Sequence, residues 1–301
     1  MFYEYAVAPA IFTNPSNLQS FFECFKNRPY RLISDTPKKW VQDAFHAINQ
    51  LTHDQCPPVM KKTLKNHLQK LSKTSLCNNR TIEDWKKTDN WVDFVVNEHN
   101  KFPFAAILGS ESVSKPVRVF SFSDLTFYAP ESWELGGQQH IKRDGAMIVE
   151  TVLPLLKVSK QLFLVDTYFS FTPPSWNRYE SLLKGLVEKA HECNFGKGIA
   201  KIEIHTSDKQ KGVQKSLEFI AKPWLPKGIA IYCYQWPANQ MHDRFILTDV
   251  GGISFGHGLD DFADDRLEDV LISVLEHQVY KNEKTRLSDK PANPAYFTGI
   301  K

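Results

Sequence analysis

The chain has 301 residues, 42% hydrophobic and 24% charged, enough to bury the core of one large domain or two ordinary ones. Neither a run of about 18 apolar residues nor a basic segment ahead of the apolar N-terminus (MFYEYAVAPAIF) is present, which argues against a membrane span and a signal peptide. The net charge of +3 is too small to imply a polyanionic partner by itself, and the five scattered cysteines, none in a Cys-x-x-Cys pair, argue against a zinc site or a disulfide framework and point to a reducing cytoplasm.

Residues 1–113 read as a separate, partly helical region. Tyr3 to Phe12 has the composition of a strand. Thr36-Pro37 marks a helix start, with Thr36 as N-cap and Pro37 at the first helical position. Trp40, Val41, Ala44, Phe45, Ile48 and Leu51 then recur at helical spacing, and Met60, Leu64, Leu68 and Leu71 form the stripe of a second helix. The other face of that second helix carries Lys61, Lys62, Lys65, Lys70 and Lys73, either a solvated face or a contact with nucleic acid or another acidic surface. Phe102 to Leu108 is a short apolar strand, and Gly109 to Pro116 has the composition of a linker.

From Ser114 onward strands and helices alternate. Strands are expected over Arg118–Phe122, Gln161–Phe171, Ile199–His205, Ile229–Gln235, Phe245–Thr248, Ile253–Phe255 and Asp269–Leu275. Helices are expected over Asp144–Lys157, Arg178–Cys193 and Val213–Ile220. This alternation implies an α/β domain, 114–301, built on a mixed, largely parallel sheet with helices on both faces.

The stretch Met241 to Leu259, MHDRFILTDVGGISFGHGL, carries the chemistry. His242 and Arg244 are two apart, so in a strand they project from one face. Asp249 follows Arg244 after four residues, and six more lead to Gly256-His257-Gly258. A neutral imidazole can attack phosphorus without a metal, and a fixed cation beside it can hold the phosphate. Three of these residues, His242, Arg244 and Asp249, are expected to converge in one pocket.

This pattern resembles the phospholipase D superfamily signature, His-x-Lys-x4-Asp followed six residues later by Gly-Ser-x-Asn, with Glu268 as the acidic residue opening the next strand. The resemblance implies a phospholipase-D-like fold, a phosphohistidine on His242, phosphate binding by Arg244 and a supporting role for Asp249, with no metal or cofactor. Three departures stand out: Arg244 replaces lysine, Gly256-His257-Gly258-Leu259 replaces the usual turn, and the motif occurs once. Active relatives use two histidines, from an internal repeat or a twin subunit, so a homodimer is implied, or else His257 as the acid in cis. The run His242-Asp243-Arg244, Gly251-Gly252 and Gly256-His257-Gly258-Leu259-Asp260-Asp261-Phe262 is more narrowly similar to the phospholipase-D-like domain found C-terminal to microtubule-interacting-and-trafficking modules. That subgroup has bacterial members, which suggest defence against foreign DNA, and eukaryotic ones that bind phospholipid headgroups without evident catalysis.

Other residues are candidates by position. Asp166 and Tyr168 end the first central strand, where open α/β sheets bind ligands. His205 ends the next strand, as a ligand contact or a plain strand-end histidine, and Lys209, Lys211 and Lys215 follow as candidate backbone contacts for nucleic acid. Asp260, Asp261, Asp264 and Asp265 read as a solvated loop rather than a metal site. The resulting expectation is a cytoplasmic, metal-independent phosphodiesterase of the nuclease type acting on DNA or RNA. Its rivals are a silent module that binds a phospholipid headgroup or nucleic-acid end, and an interaction subunit that recruits a protein partner through residues 1–113.

Overall fold

The computed structural model describes the chain except for residues 27, 79, 81–89, 115, 135, 193–198, 262–268 and 300–301. Apart from Met1, it divides into two compact units, Phe2–Leu135 and Gly136–Lys301. The division lies beyond the expected boundary at 113/114, because the strand at Val119–Phe120 pairs in parallel with Ala106–Leu108 of the first unit. The glycine- and serine-rich stretch before it is therefore an internal loop of that unit, pinned where Val113 bridges to Val119.

The first unit is itself α/β. Short apolar runs form β1 (Tyr3–Val7), β2 (Arg31–Ser34), β3 (Leu76–Cys77), β4 (Ala106–Leu108) and β5 (Val119–Phe120). Among the described residues these make a five-stranded sheet in the order β3-β2-β1-β4-β5, with every pair parallel. The helices are α1 (Pro15–Phe25), α2 (Trp40–Gln50), α3 (Pro58–Ser72), α4 (Trp91–Lys101), α5 (Leu125–Tyr128) and α6 (Glu131–Glu134). β1 ends at Val7 rather than Phe12 because Pro9–Thr13 turns into a 3-10 helix. Aromatic packing dominates the core, with Tyr5, Phe12, Phe21, Phe25 and Trp40 all at or below 1% exposure.

Two local readings are corrected here. α2 starts at Trp40 rather than at Pro37, because the Asp35 carboxylate accepts the Trp40 amide at 2.9 Å and takes the capping role expected of Thr36. α3 buries Leu64, Leu68 and Leu71 but leaves Met60 exposed, and two of its lysines serve the fold. Lys61 donates to the carbonyls of Asn49 and Leu51, and Lys65 to the Asn49 side chain, whereas Lys62, Lys70 and Lys73 stay exposed.

The second unit runs β6 (Gln138–Lys142), α7 (Gly145–Lys157), β7 (Gln161–Val165), α8 (Glu180–Glu192), β8 (Lys201–Ser207), α9 (Val213–Ala221), β9 (Ala230–Trp236), β10 (Phe245–Thr248), β11 (Gly252–Phe255), β12 (Asp269–Val274), α10 (His277–Ser288) and β13 (Ala295–Thr298). Its sheet has the order β13-β9-β8-β7-β10-β11-β12-β6. The sheet is mixed: β7, β8 and β9 pair in parallel, and the remaining pairs are antiparallel. Parallel neighbours need long crossovers, which α8 and α9 supply. α7 starts where expected, its first turn capped by Asp144 accepting from the Met147 amide at 2.9 Å.

Strand alternation then sorts the side chains. Phe163, Val165, Phe245 and Leu247 share one face with Tyr280 and Leu287 of α10. Leu162, Leu164, Ile204 and Ile246 lie on the opposite face, all 0% exposed. No helix among the described residues is long and apolar enough to cross a membrane.

Candidate functional site

β7 is shorter than its apolar run. It stops at Val165 because the next carboxylate, Asp166, accepts the Tyr168 amide at 2.9 Å and folds the chain out of the sheet. β10 lies antiparallel beside β7 with Phe245 opposite Val165, so one step further Arg244 stands opposite Asp166, on the same face. Asp166 is fully buried, and it also accepts from the Leu259 amide at 2.8 Å and the Tyr179 hydroxyl at 3.4 Å. Burial raises its pKa, while the two backbone N–H groups and the charge of Arg244 pull the other way.

Arg244 is half-buried, with its guanidinium 5.6 Å from the ring centroid of Tyr168, itself 61% exposed. The Arg244 Nε is shut off from solvent and has no hydrogen-bond partner among the described residues. A half-buried guanidinium with an unpartnered Nε beside an exposed aromatic ring suits an oxyanion such as phosphate.

The turn after β11 completes this end of the sheet. Gly258 passes so close that an added Cβ would run into the Asp260 carboxylate and lie 3.1 Å from the Arg143 guanidinium. Asp260 pairs with Arg143 and stands 3.8 Å from Arg178. Asp261 accepts from the Gly145 amide and, at 2.5 Å, from the Ser181 hydroxyl. These two aspartates are structural anchors rather than a solvated run; Asp264 and Asp265 lie outside the described residues. Arg143 and Arg178 were not legible as site residues, since only the fold brings them to Asp260. Among the described residues no three or more His, Cys, Asp or Glu side chains are grouped to hold a metal ion.

The other expected site residues scatter. His242 lies in the exposed segment before β10, its Nε2 2.9 Å from the Asn239 carbonyl. If Nε2 carries the proton it donates there, and Nδ1 is left with the lone pair. Asp249 does not converge with them. It sits at the far end of β10, where its carboxylate accepts the amides of Lys160 at 2.7 Å and Gln161 at 3.1 Å and so ties down the start of β7. His257 is exposed in the turn after β11, two residues past Phe255, whose amide bonds the Arg244 carbonyl. Lys209 and Lys211 are exposed beyond the carboxyl end of β8, at the same end of the parallel strands as Asp166. Glu268 lies outside the described residues.

His205 is a correction. It pairs with Val165 across β7 and β8, which puts its ring on the α10 face, opposite Asp166 and Arg244. There it is 0% exposed, stacks 5.2 Å from Tyr234, and its Nδ1 accepts the Trp236 indole N–H at 3.0 Å. Burial lowers its pKa against the opposing pull of Glu203. It is a core histidine.

No family model and no curated protein matches the chain. Among solved structures, it is similar to Nuc, a phospholipase D family member from Salmonella typhimurium, at 14% identity over 54% of this chain and 97% of Nuc, with a TM-score of 0.35. It is also similar to TrmBL2, an archaeal chromatin protein with a novel mode of DNA binding, at 11% identity over 77% of this chain and 81% of that one, with a TM-score of 0.29. Both scores lie below 0.5.

Proposed function

We propose that the carboxyl end of β7, with Arg244, Tyr168 and His242, is a phosphodiester site, and that the chain is a metal-independent phosphodiesterase of the nuclease type. The observation that carries this reading is Arg244, half-buried within electrostatic reach of Asp166 while its own Nε has no hydrogen-bond partner among the described residues. His242 lies two residues before Arg244 in the segment leading into β10 and is exposed. In the proposed reaction, the Nδ1 lone pair of His242 forms a nitrogen–phosphorus bond as the bond to the leaving oxygen breaks, and that oxygen takes a proton from a second histidine. Water then cleaves the phosphohistidine. Arg244 neutralises charge on the non-bridging oxygens. The second histidine is His242 of a second copy in a two-fold dimer, or His257 of the same chain. Lys209 and Lys211 extend the basic surface at this end for a nucleic-acid backbone. A cytoplasmic role in defence against foreign DNA fits this reading.

Two observations favour the silent alternative, a phosphate-binding module: the imidazole is engaged with Asn239, and Arg143 is paired with Asp260. Bis(p-nitrophenyl) phosphate in EDTA separates the two. Turnover lost in His242→Ala supports the enzyme. Saturable binding without turnover, lost in Arg244→Ala, supports the module.

A further inference from the structure

The first unit holds a cleft that the phosphodiester reading does not use. In its order β3-β2-β1-β4-β5, the chain winds outward from β1 in one direction and, after β3, returns to lie on β1's other side as β4. At such a reversal the loops leaving the two central strands part, and a crevice opens at their carboxyl ends. A cleft of about 480 Å³ lies there, walled by residues 8–10 after β1 and 109–111 after β4. Gly109 keeps that second wall tight, since an added Cβ would lie 2.8 Å from Val119 Cγ1 and 3.0 Å from the Glu111 carbonyl oxygen.

The lining specifies a charge. Asp43 and His46 come from α2, Glu111 from the loop after β4, and Trp91 from the first turn of α4. The Asp43 side chain is half-buried. The Trp91 indole N–H is shut off from solvent and meets no acceptor among the described residues. No lysine or arginine lines the cleft among the described residues. The loop after β1, Ala8-Pro9-Ala10, has no glycine, and Pro9 has no N–H, so it cannot cradle a phosphate as glycine-rich loops do. Two carboxylates against one imidazole, with an indole and apolar walls, complement a cation that has a flat body.

We infer that this cleft is a binding site for a small organic cation with a planar apolar body, held between the carboxylates of Asp43 and Glu111 and the ring of Trp91. The test uses the full chain and three nearly isosteric probes, benzamidine (cation), benzamide (neutral) and benzoate (anion), titrated by ligand-observed NMR. Benzamidine is expected to bind at least about tenfold more tightly than either of the others, and Asp43→Asn or Glu111→Gln to erase most of that difference. Glu111 is an exposed loop residue, so its variant remains informative if Asp43→Asn fails to fold. Arg244→Ala should leave benzamidine binding unchanged, which separates this site from the phosphodiester site. Equal binding of benzamide or benzoate, no benzamidine binding at about 10 mM, or binding indifferent to both carboxylate variants would overturn the inference.

Discussion

Arg244→Ala removes the counter-charge of a carboxylate that has nowhere else to go. Asp166 is 0% exposed and keeps two backbone N–H donors, at 2.9 and 2.8 Å, after the substitution. Arg244 is half-buried and acts on Asp166 through its charge rather than through a hydrogen bond, so its loss costs about 1 kcal/mol. For a unit of this size that is a fall of roughly 2–4 °C in the midpoint of its thermal transition, read by calorimetry. The cost depends on pH in a stated direction. The pKa of Asp166 is raised in the folded chain, and losing Arg244 raises it further. A carboxyl with a raised folded-state pKa bears no penalty below its unfolded value, near pH 4, and a growing one as pH climbs through the folded value. Arg244→Ala should therefore lie close to wild type near pH 4 and show its full deficit at pH 7. Asp166→Asn in a double-mutant cycle should return a coupling of about 0.5–1 kcal/mol. A coupling indistinguishable from zero, within about 0.3 kcal/mol, or a deficit equal at both pH values, would refute the electrostatic influence of Arg244 on Asp166.

Three further outcomes follow from the second unit. Gly258→Ala should cost about 1–3 kcal/mol, because its Cβ enters the space of Asp260 and Arg143, and should weaken phosphate binding measured by titration calorimetry. Asp249→Ala should cost about 1–2 kcal/mol through the two amides it releases. It should leave phosphate affinity unchanged, since five residues of strand put it about 17 Å from Arg244. The ammonium of Lys284, over the Phe163 ring at 3.5 Å, is held down to about 8 by burial. A lysine depressed in the folded state burdens folding while protonated and is relieved as pH rises from about 8 towards its unfolded value near 10.5. Lys284→Met should therefore gain stability at pH 7 and lose that gain by pH 10, in urea unfolding at the two values.

What could be read in advance divides along physical lines. The run from Phe245 to Thr248 announces a strand, and the spacing of two between His242 and Arg244 is what one face of a strand would show. The same rule, at about 3.3 Å per residue, already separates Asp249 from them, and the expectation of convergence overlooked it. His205 was ambiguous for another reason: its face depends on register with Val165, a pairing between segments forty residues apart that local patterning does not encode. Asp260 looked like one charge among several until the fold set it against Arg143, 117 positions away. In the first unit β3 is two residues long and parallel strands are buried on both faces, so no alternation marks it. α10 was missed because only Tyr280 and Leu287 of its residues are buried, too few for a stripe.

The central claim, a phosphodiester site that cuts through His242, is tested most directly by digestion in EDTA. The full chain and its His242→Ala variant are incubated with single- and double-stranded DNA and RNA, and products are resolved on denaturing gels. The account predicts cleavage of at least one substrate by the wild-type chain and a loss of roughly a thousandfold or more in His242→Ala. Wild-type cleavage that survives the substitution, or no cleavage of any of the four, would contradict it.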